Sequence, residues 1–377
     1  MGIRAVVSVV IPTRNRLRYL QEAVASVQAQ TLTRWELLVV DDASEDKTPG
    51  WLESISDPRI RVLRMDQHVH RSPARNRGLA QASGEYVIFL DDDDRFRPRA
   101  LAVLVHSLKR HHDAVAACGA RINFDESGHH RRYPHVWIPR VRVIWPELFA
   151  GWVAHTGQVM FPTELLRSIG GWDEALIAMQ DWELHLRVSH LGPMYLDPYV
   201  VVEARKHPQQ WTPHDILKVR SGLDEAFLAS LAPTERALGE GALRMRSLYE
   251  EALVKLTQHN EPGSALRLFY AAFRSAPTVA RTPQFRARFL RGFSQALIGR
   301  ALGRRASRRL ESLRGSVLRV LRKAPGRGFS ASVVSDSAIR DDESEDLRLQ
   351  SRSRSEAGES PDPSGHSNRE RRRRRRP

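Results

Sequence analysis

Four consecutive aspartates, Asp91 to Asp94, follow the apolar run Tyr86 to Leu90. That run, opened by Gly84 and rich in β-branched and aromatic residues, reads as a buried strand of a parallel sheet. If the backbone stays extended beyond it, alternation sends Asp91 and Asp93 to one side and Asp92 and Asp94 to the other, leaving like charges in neighbouring pairs. Hard carboxylate oxygens suit Mg2+ or Mn2+, ions typically held by one or two carboxylates together with substrate phosphates. Open α/β sheets bind such ligands at the carboxyl ends of their strands. The alternative is an acidic loop capping the helix that Pro98 begins.

The elements that must position these carboxylates are legible on both sides of them. Val6 to Ile11 reads as a first buried strand and Trp35 to Val40 as a second, with Ile60 to Met65 a third and Ala114 to Ala120 a fifth after the Tyr86 strand. Between them Leu17, Leu20, Ala23, Val24 and Val27 recur at helical spacing, with Asn15 as the expected cap. Thr48-Pro49 and Ser72-Pro73 have the order of helix starts, and a further helix is expected from about Arg99 to Arg110. Strands alternating with helices predict a parallel, three-layer α/β sheet. Three strand ends carry polar clusters: Pro12-Thr13-Arg14-Asn15-Arg16, Asp41-Asp42-Ala43-Ser44 and the aspartate run. No G-x-G-x-x-G follows the first strand, and no P-loop is present, so bound phosphates must be met by a metal, by arginine and by a helix N-terminus. The Ser72-Pro73 helix start with Arg75 and Arg77 offers the last two.

In order and spacing, Ser-Val-Val-Ile-Pro-Thr-Arg-Asn-Arg, Leu-Val-Val-Asp-Asp-Ala-Ser, Ala-Arg-Asn-Arg-Gly-Leu and Gly-Glu-Tyr-Val-Ile-Phe-Leu-Asp-Asp-Asp-Asp resemble the inverting glycosyltransferases of family 2, which have the GT-A fold. The resemblance covers about residues 5 to 210. It implies a nucleotide-sugar site lined by Pro12, Thr13, Arg14 and Asp42, with Arg75 facing the nucleotide. It also implies a DXD motif at Asp91-Asp92-Asp93, of which Asp91 and Asp92 bind the nucleotide sugar and Asp93 the metal.

Gly170-Gly171-Trp172-Asp173-Glu174 precedes Met179-Gln180-Asp181-Trp182, where a helix begins. An acid in a first turn is favourable on dipole grounds alone. The resemblance implies more, since Asp181 matches the family's catalytic base, while Gln180 departs from the usual glutamate. His207, after an expected strand near Tyr195 to Val202, matches a histidine that family members place near the metal; the plain reading is a loop histidine. Asp125-Glu126-Ser127-Gly128 looks like a hairpin turn, and the aromatic-rich stretch Tyr133 to Trp152 could shape an acceptor pocket or cover the sheet, of which cover is the expectation.

After Pro213 the pattern is helical, with Glu261-Pro262-Gly263 a turn between helices. Residues Arg304 to Lys323 alternate arginine with Leu310, Leu313, Val317 and Leu321, a basic amphipathic stripe suited either to an anionic membrane or to the helices before it. From Pro325 onward serine, arginine and acids replace apolar residues, as expected of a disordered tail. The net charge of +15 on 377 residues is concentrated in this C-terminal part. It describes the appendage and not the site, and nucleic acid is not expected as a partner. One cysteine, Cys118 in an apolar setting, excludes an internal disulfide framework and fits a reducing compartment. No signal peptide and no membrane-spanning window is visible, so a cytoplasmic location is expected, with peripheral membrane contact at most.

The expected organisation is a GT-A type three-layer sheet domain over 1–212, a helical region over 213–323 and a tail over 324–377. The expected activity is metal-dependent transfer of a sugar, with inversion, from a UDP-sugar to a hydroxyl of a glycan or lipid-linked acceptor, with Mn2+ or Mg2+ as cofactor. The rival is a non-catalytic basic module that grips membrane or nucleic acid through its arginines. Retention of Asp42, Asp91, Asp93 and Asp181 together argues against it.

Overall fold

The computed structural model describes residues 5–125, 130–132, 140–151, 154–206, 213–282, 285–286 and 289–297. In chain order the elements are β1 (Val7–Thr13), α1 (Leu17–Gln28), β2 (Trp35–Asp41), α2 (Thr48–Glu53), β3 (Ile60–Arg64), α3 (Arg71–Gln81), β4 (Tyr86–Phe89), β5 (Arg95–Phe96) and α4 (Ala100–Arg110). There follow β6 (Ala116–Phe124), β7 (His130–Arg132), β8 (Arg140–Arg142), α5 (Trp145–Phe149), β9 (Val159–Pro162), α6 (Thr163–Ser168), α7 (Gln180–Leu191) and β10 (Met194–Arg205). The helices α8 (Pro213–Ser230), α9 (Pro233–Thr257), α10 (Pro262–Ser275) and α11 (Pro277–Ala280) come last. The boundary proposed at residue 212, the basic stripe over 304–323 and the tail lie outside the described residues.

The strand order is β3-β2-β1-β4-β9-β6-β10-β5, with β7 paired to β6 and β8 to β10. β1 pairs in parallel with both β2 and β4, which brings the ends of all three to one edge. The parallel expectation fails at β9, which is antiparallel to both β4 and β6, and at β5, β7 and β8, which pair antiparallel with β10, β6 and β10. The four residues Val159-Met160-Phe161-Pro162 enter the sheet from a loop and not from a crossover helix, so no strand–helix alternation announces them.

Alternation along the strands splits the core in two. Val10, Leu38, Val40, Val87 and Phe89 face one apolar layer, while Val9, Ile11, Leu37, Val39 and Ile88 face the other. Each such fully buried side chain contributes about 1.5–3 kcal/mol. The first layer also takes in Trp145, Phe149, Trp172 and Trp182, and runs on through Ala242 and Met245 of α9 to Phe269 of α10. The aromatic stretch before residue 152 is therefore cover, as expected, in its described part. α3 comes so close to β1 that a Cβ on Gly78 would lie 2.3 Å from a Val10 methyl. Only glycine allows that approach, which sets the height of the Arg75 turn above the sheet.

Asn15 does not cap α1. It adopts φ 54°, and its Oδ1 accepts the backbone N–H groups of Glu45 at 2.7 Å and Asp46 at 3.3 Å. The residue thus ties the loop after β1 to the loop after β2, a tertiary contact that overrides the local capping preference.

Candidate active site

At the shared edge of β1, β2 and β4 lies a cavity of about 220 Å3, lined among others by Pro12, Thr13, Arg14, Asp42 and Asp91 to Asp93. The sequence-derived residues for nucleotide-sugar binding therefore converge, with the exception of Arg75. Arg75 is buried behind the cavity, where its Nη2 donates to Asp91 Oδ1 at 2.6 Å and its guanidinium lies 4.3 Å from the centre of the Trp172 ring. Asn76 holds that ring in place. Its Nδ2 donates to the Trp172 carbonyl at 2.9 Å, and its Oδ1 accepts the Trp172 N–H at 2.9 Å. The Ala-Arg-Asn and Gly-Gly-Trp blocks, nearly a hundred residues apart, are thereby one assembly.

The four aspartates do not continue the strand. Asp94 N–H donates to the Asp91 carbonyl at 3.0 Å, closing a turn that sends the four carboxylates to different partners. Thr13 Oγ1 donates to Asp92 Oδ2 at 2.9 Å, and Arg16 Nη1 donates to Asp92 Oδ1 at 3.2 Å and to Asp93 Oδ2 at 2.8 Å. The Arg205 N–H donates to Asp94 Oδ1 at 2.8 Å. His155, from the loop before β9, stands with Nδ1 3.3 Å from Asp94 Oδ2 and Nε2 3.9 Å from Asp91 Oδ2.

Charge is distributed unevenly over this turn. Burial opposes ionisation of Asp91, but Arg75, His155 and Arg71 outweigh it and hold its carboxyl below the usual range. Burial and the neighbouring Asp93 push Asp92 up to about 6 against the pull of Arg16. Burial, Asp93 and Asp91 raise Asp94 well above a normal carboxylate. Burial and Arg121 lower His155 to about 4, although Asp91, Asp181 and Asp93 favour its charged form.

At the other side of the cavity Asp42 is held by one short segment. His68 Nδ1 lies 2.6 Å from its Oδ2, Val69 N–H donates to Oδ1 at 2.7 Å and His70 N–H donates to Oδ2 at 3.1 Å. To do so His70 adopts φ 69° and ψ −178°, a conformation that glycine takes freely and other residues rarely. Asp181 sits in the first turn of α7 and accepts its own helix's Trp182 N–H at 2.8 Å. Gln180, the departure from the resemblance noted above, donates to the Leu176 carbonyl at 3.1 Å. His207 lies outside the described residues.

Arg16, His68, His70, Asp94 and His155 are site residues that the sequence reading did not assign. Arg16 and Asp94 stood inside clusters already singled out. His68, His70 and His155 carried no spacing signal.

An α/β sheet with an acidic turn and a cavity at its parallel edge defines a GT-A type domain. Residues 8–163 match the family described as Glycosyl transferase family 2, so this part of the chain is a glycosyltransferase domain of that family. A protein of Rickettsia typhi described as an uncharacterized glycosyltransferase is 26% identical over 245 residues, 63% of this chain and 76% of that one. The GalNAc(5)-diNAcBac-PP-undecaprenol beta-1,3-glucosyltransferase of Campylobacter jejuni is 40% identical over 102 residues, 26% of this chain and 33% of that one. The chain likewise spans about a third of several longer rickettsial relatives. Among solved structures, residues 1–349 of S. aureus TarS in complex with UDP-GlcNAc share the fold, with a TM-score of 0.54 at 17% identity over 79% of this chain and 92% of that one. Among the described residues no helix is long and apolar enough to cross a membrane.

Proposed function

We propose that the chain transfers a sugar from a nucleotide sugar, with UDP as the nucleotide, to a hydroxyl of a glycan or lipid-linked acceptor, inverting the anomeric centre and depending on Mn2+ or Mg2+. The observation that carries this is the cavity bounded by Asp42 at one end and the aspartate turn at the other, with Arg14, Arg16 and Arg71 on its walls. A nucleoside diphosphate fits that polarity, with an acceptor carboxylate for the base and guanidinium groups for the phosphates. The complexes of TarS with UDP-GlcNAc and with UDP support the choice of donor.

The residues fit a divalent ion. Asp94 Oδ2 and His155 Nδ1 are buried without a hydrogen-bond partner, and with Asp91 they offer ligand atoms that lie within 4.8 Å of one another. Bound there, the ion would offset the charge that develops on the departing diphosphate. The chain's own residues do the remaining work. Arg75 and Trp172 orient Asp91 from behind, and Arg16 and Thr13 hold Asp92. Asp181 takes the proton of the acceptor hydroxyl, because single displacement requires attack from the ring face opposite the diphosphate.

A thermal-shift panel of nucleotide sugars, with and without Mn2+, tests the reading. A donor that binds the native state raises the melting temperature in proportion to the logarithm of its concentration over Kd. Stabilisation by a UDP-sugar that needs the ion is the expected result. No shift with any nucleotide sugar at millimolar concentration would overturn it.

A further inference from the structure

We infer that the outward sides of α10 and of the helical residues 289–297 rest on an anionic lipid surface, with Leu290 and Leu297 entering the acyl boundary and the arginines beside them meeting the headgroups. This goes beyond the proposed function and does not depend on it.

Between Pro262 and Leu297 the sequence holds six arginines and no acidic residue. The helix before them, α9, mixes Glu235, Glu240, Glu250 and Glu251 with its own basic residues, so the change of charge is abrupt. Positive charge unrelieved over this length draws anions to the surface that carries it.

Packing fixes which side of residues 289–297 faces inward. The Phe289 ring lies 5.9 Å from that of Phe273 and the Phe293 ring 5.6 Å from that of Phe269, and a Cβ on Gly292 would lie 2.6 Å from a Phe269 ring atom. Helical periodicity then sends Leu290 and Leu297, two turns apart, to the outside, where they are 59% and 56% exposed. Arg286, one turn before Leu290, and Arg291 are exposed at the two edges of that leucine stripe. α10 repeats the pattern. Its Phe269 and Ala272 are buried, while Tyr270 is 58% exposed between the exposed Arg267 and Arg274, with the Arg274 guanidinium 5.9 Å from the Tyr270 ring centre.

A lone exposed leucine needs no partner, but large apolar side chains more than half exposed and each set beside arginine fit a partner that is apolar and anionic at once. An anionic bilayer offers both, phosphate headgroups for the guanidinium groups and hydrocarbon just beneath them for the leucines. Tyrosine suits the boundary between the two. A nucleic-acid duplex would meet the arginines through its phosphates and leave the leucines in water. A second copy of the same surface would set arginine against arginine.

The test is sedimentation of the full chain with vesicles of phosphatidylcholine alone and of phosphatidylcholine mixed with phosphatidylglycerol, joined to a site-specific readout. That readout is needed because the six consecutive arginines at residues 371–376 could hold the chain to an anionic surface without burying a leucine. Cys118, the one cysteine of the sequence, is buried, so a nitrobenzoxadiazole label goes to the thiol introduced by Leu290→Cys, Leu297→Cys or Tyr270→Cys, with Glu164→Cys on exposed α6 surface as control. The label at 270, 290 and 297 should brighten and shift to the blue on the mixed vesicles, less so as salt rises, and the label at 164 should not. Leu290→Gln combined with Leu297→Gln should lower partitioning roughly tenfold or more with UDP affinity unchanged. Equal recovery with both vesicle types, unchanged label spectra at 290 and 297 on vesicles that sediment the chain, or duplex RNA displacing the vesicles while the glutamine variant binds both as the wild type does, would each overturn the inference. None of these outcomes touches the transferase reading, which UDP affinity, measured by calorimetry without vesicles, checks separately.

Discussion

The N–H of Asp94 reaches back to the carbonyl of Asp91 at 3.0 Å, and this single bond folds four buried or half-buried carboxylates over one turn. The turn holds because cations and donors meet each carboxylate, and Arg16 meets two. Removing it leaves Asp92 and Asp93 without their shared partner in a buried place. Arg16→Ala should therefore cost about 1–3 kcal/mol of stability, read as a lower urea midpoint at neutral pH. An unchanged midpoint would show that the turn stands without it.

Asp181→Asn is expected to leave donor binding as it is and to slow transfer by roughly 10²-fold or more, the range for loss of a general base. Calorimetry with UDP and a turnover assay on the same preparation separate the two effects. Near-normal turnover would remove Asp181 from the mechanism, as would a product that keeps the donor's anomeric configuration by NMR.

His70 holds a backbone conformation that costs a residue with a side chain about 1–3 kcal/mol. His70→Gly releases that strain and keeps the N–H that bonds Asp42. The substitution should raise the melting temperature, offset in part by the greater entropy of glycine in the unfolded chain. A fall in melting temperature would mean that the imidazole contributes more than the strain costs.

His185 is buried in α7 with neither ring nitrogen hydrogen-bonded, its ring 6.0 Å from that of Phe161. Burial first, and Arg75 second, lower it to about 3. The unfolded chain binds this proton near pH 6.5, so between those values the unfolded state carries more protons than the native one. Stability is therefore lost as pH falls through that window and rises as pH rises, by up to about 1.4 kcal/mol per unit for one such group. His185→Phe removes this sensitivity. Urea midpoints at pH 7 and pH 4.5 should differ less in the variant than in the wild type, and equal differences would refute the account.

Much of the fold was readable because its central strands are buried on both faces. Val6 to Ile11, Trp35 to Val40 and Tyr86 to Leu90 have no other use for such continuous apolar runs. Their polar ends were readable for the same reason, since charged residues at the end of a buried strand must face a cavity or each other. β9 was not readable. Val159-Met160-Phe161 joins the sheet only because β4 and β6, distant in the chain, leave a gap that an antiparallel strand fills.

Residue type and local order alone thus determined the strands β1 to β4 and β6, the helices between them and the clusters Pro12-Thr13-Arg14, Asp42 and Asp91 to Asp94. What each carboxylate does was decided by the tertiary structure. A run of four aspartates can extend or turn at little difference in local energy, and partners far along the chain settle it: Thr13 and Arg16 take Asp92, and the Arg205 N–H takes Asp94. His155 joins them for a reason no local pattern records, because Gln158 pins its loop to Gly119 on a strand that begins some forty residues earlier.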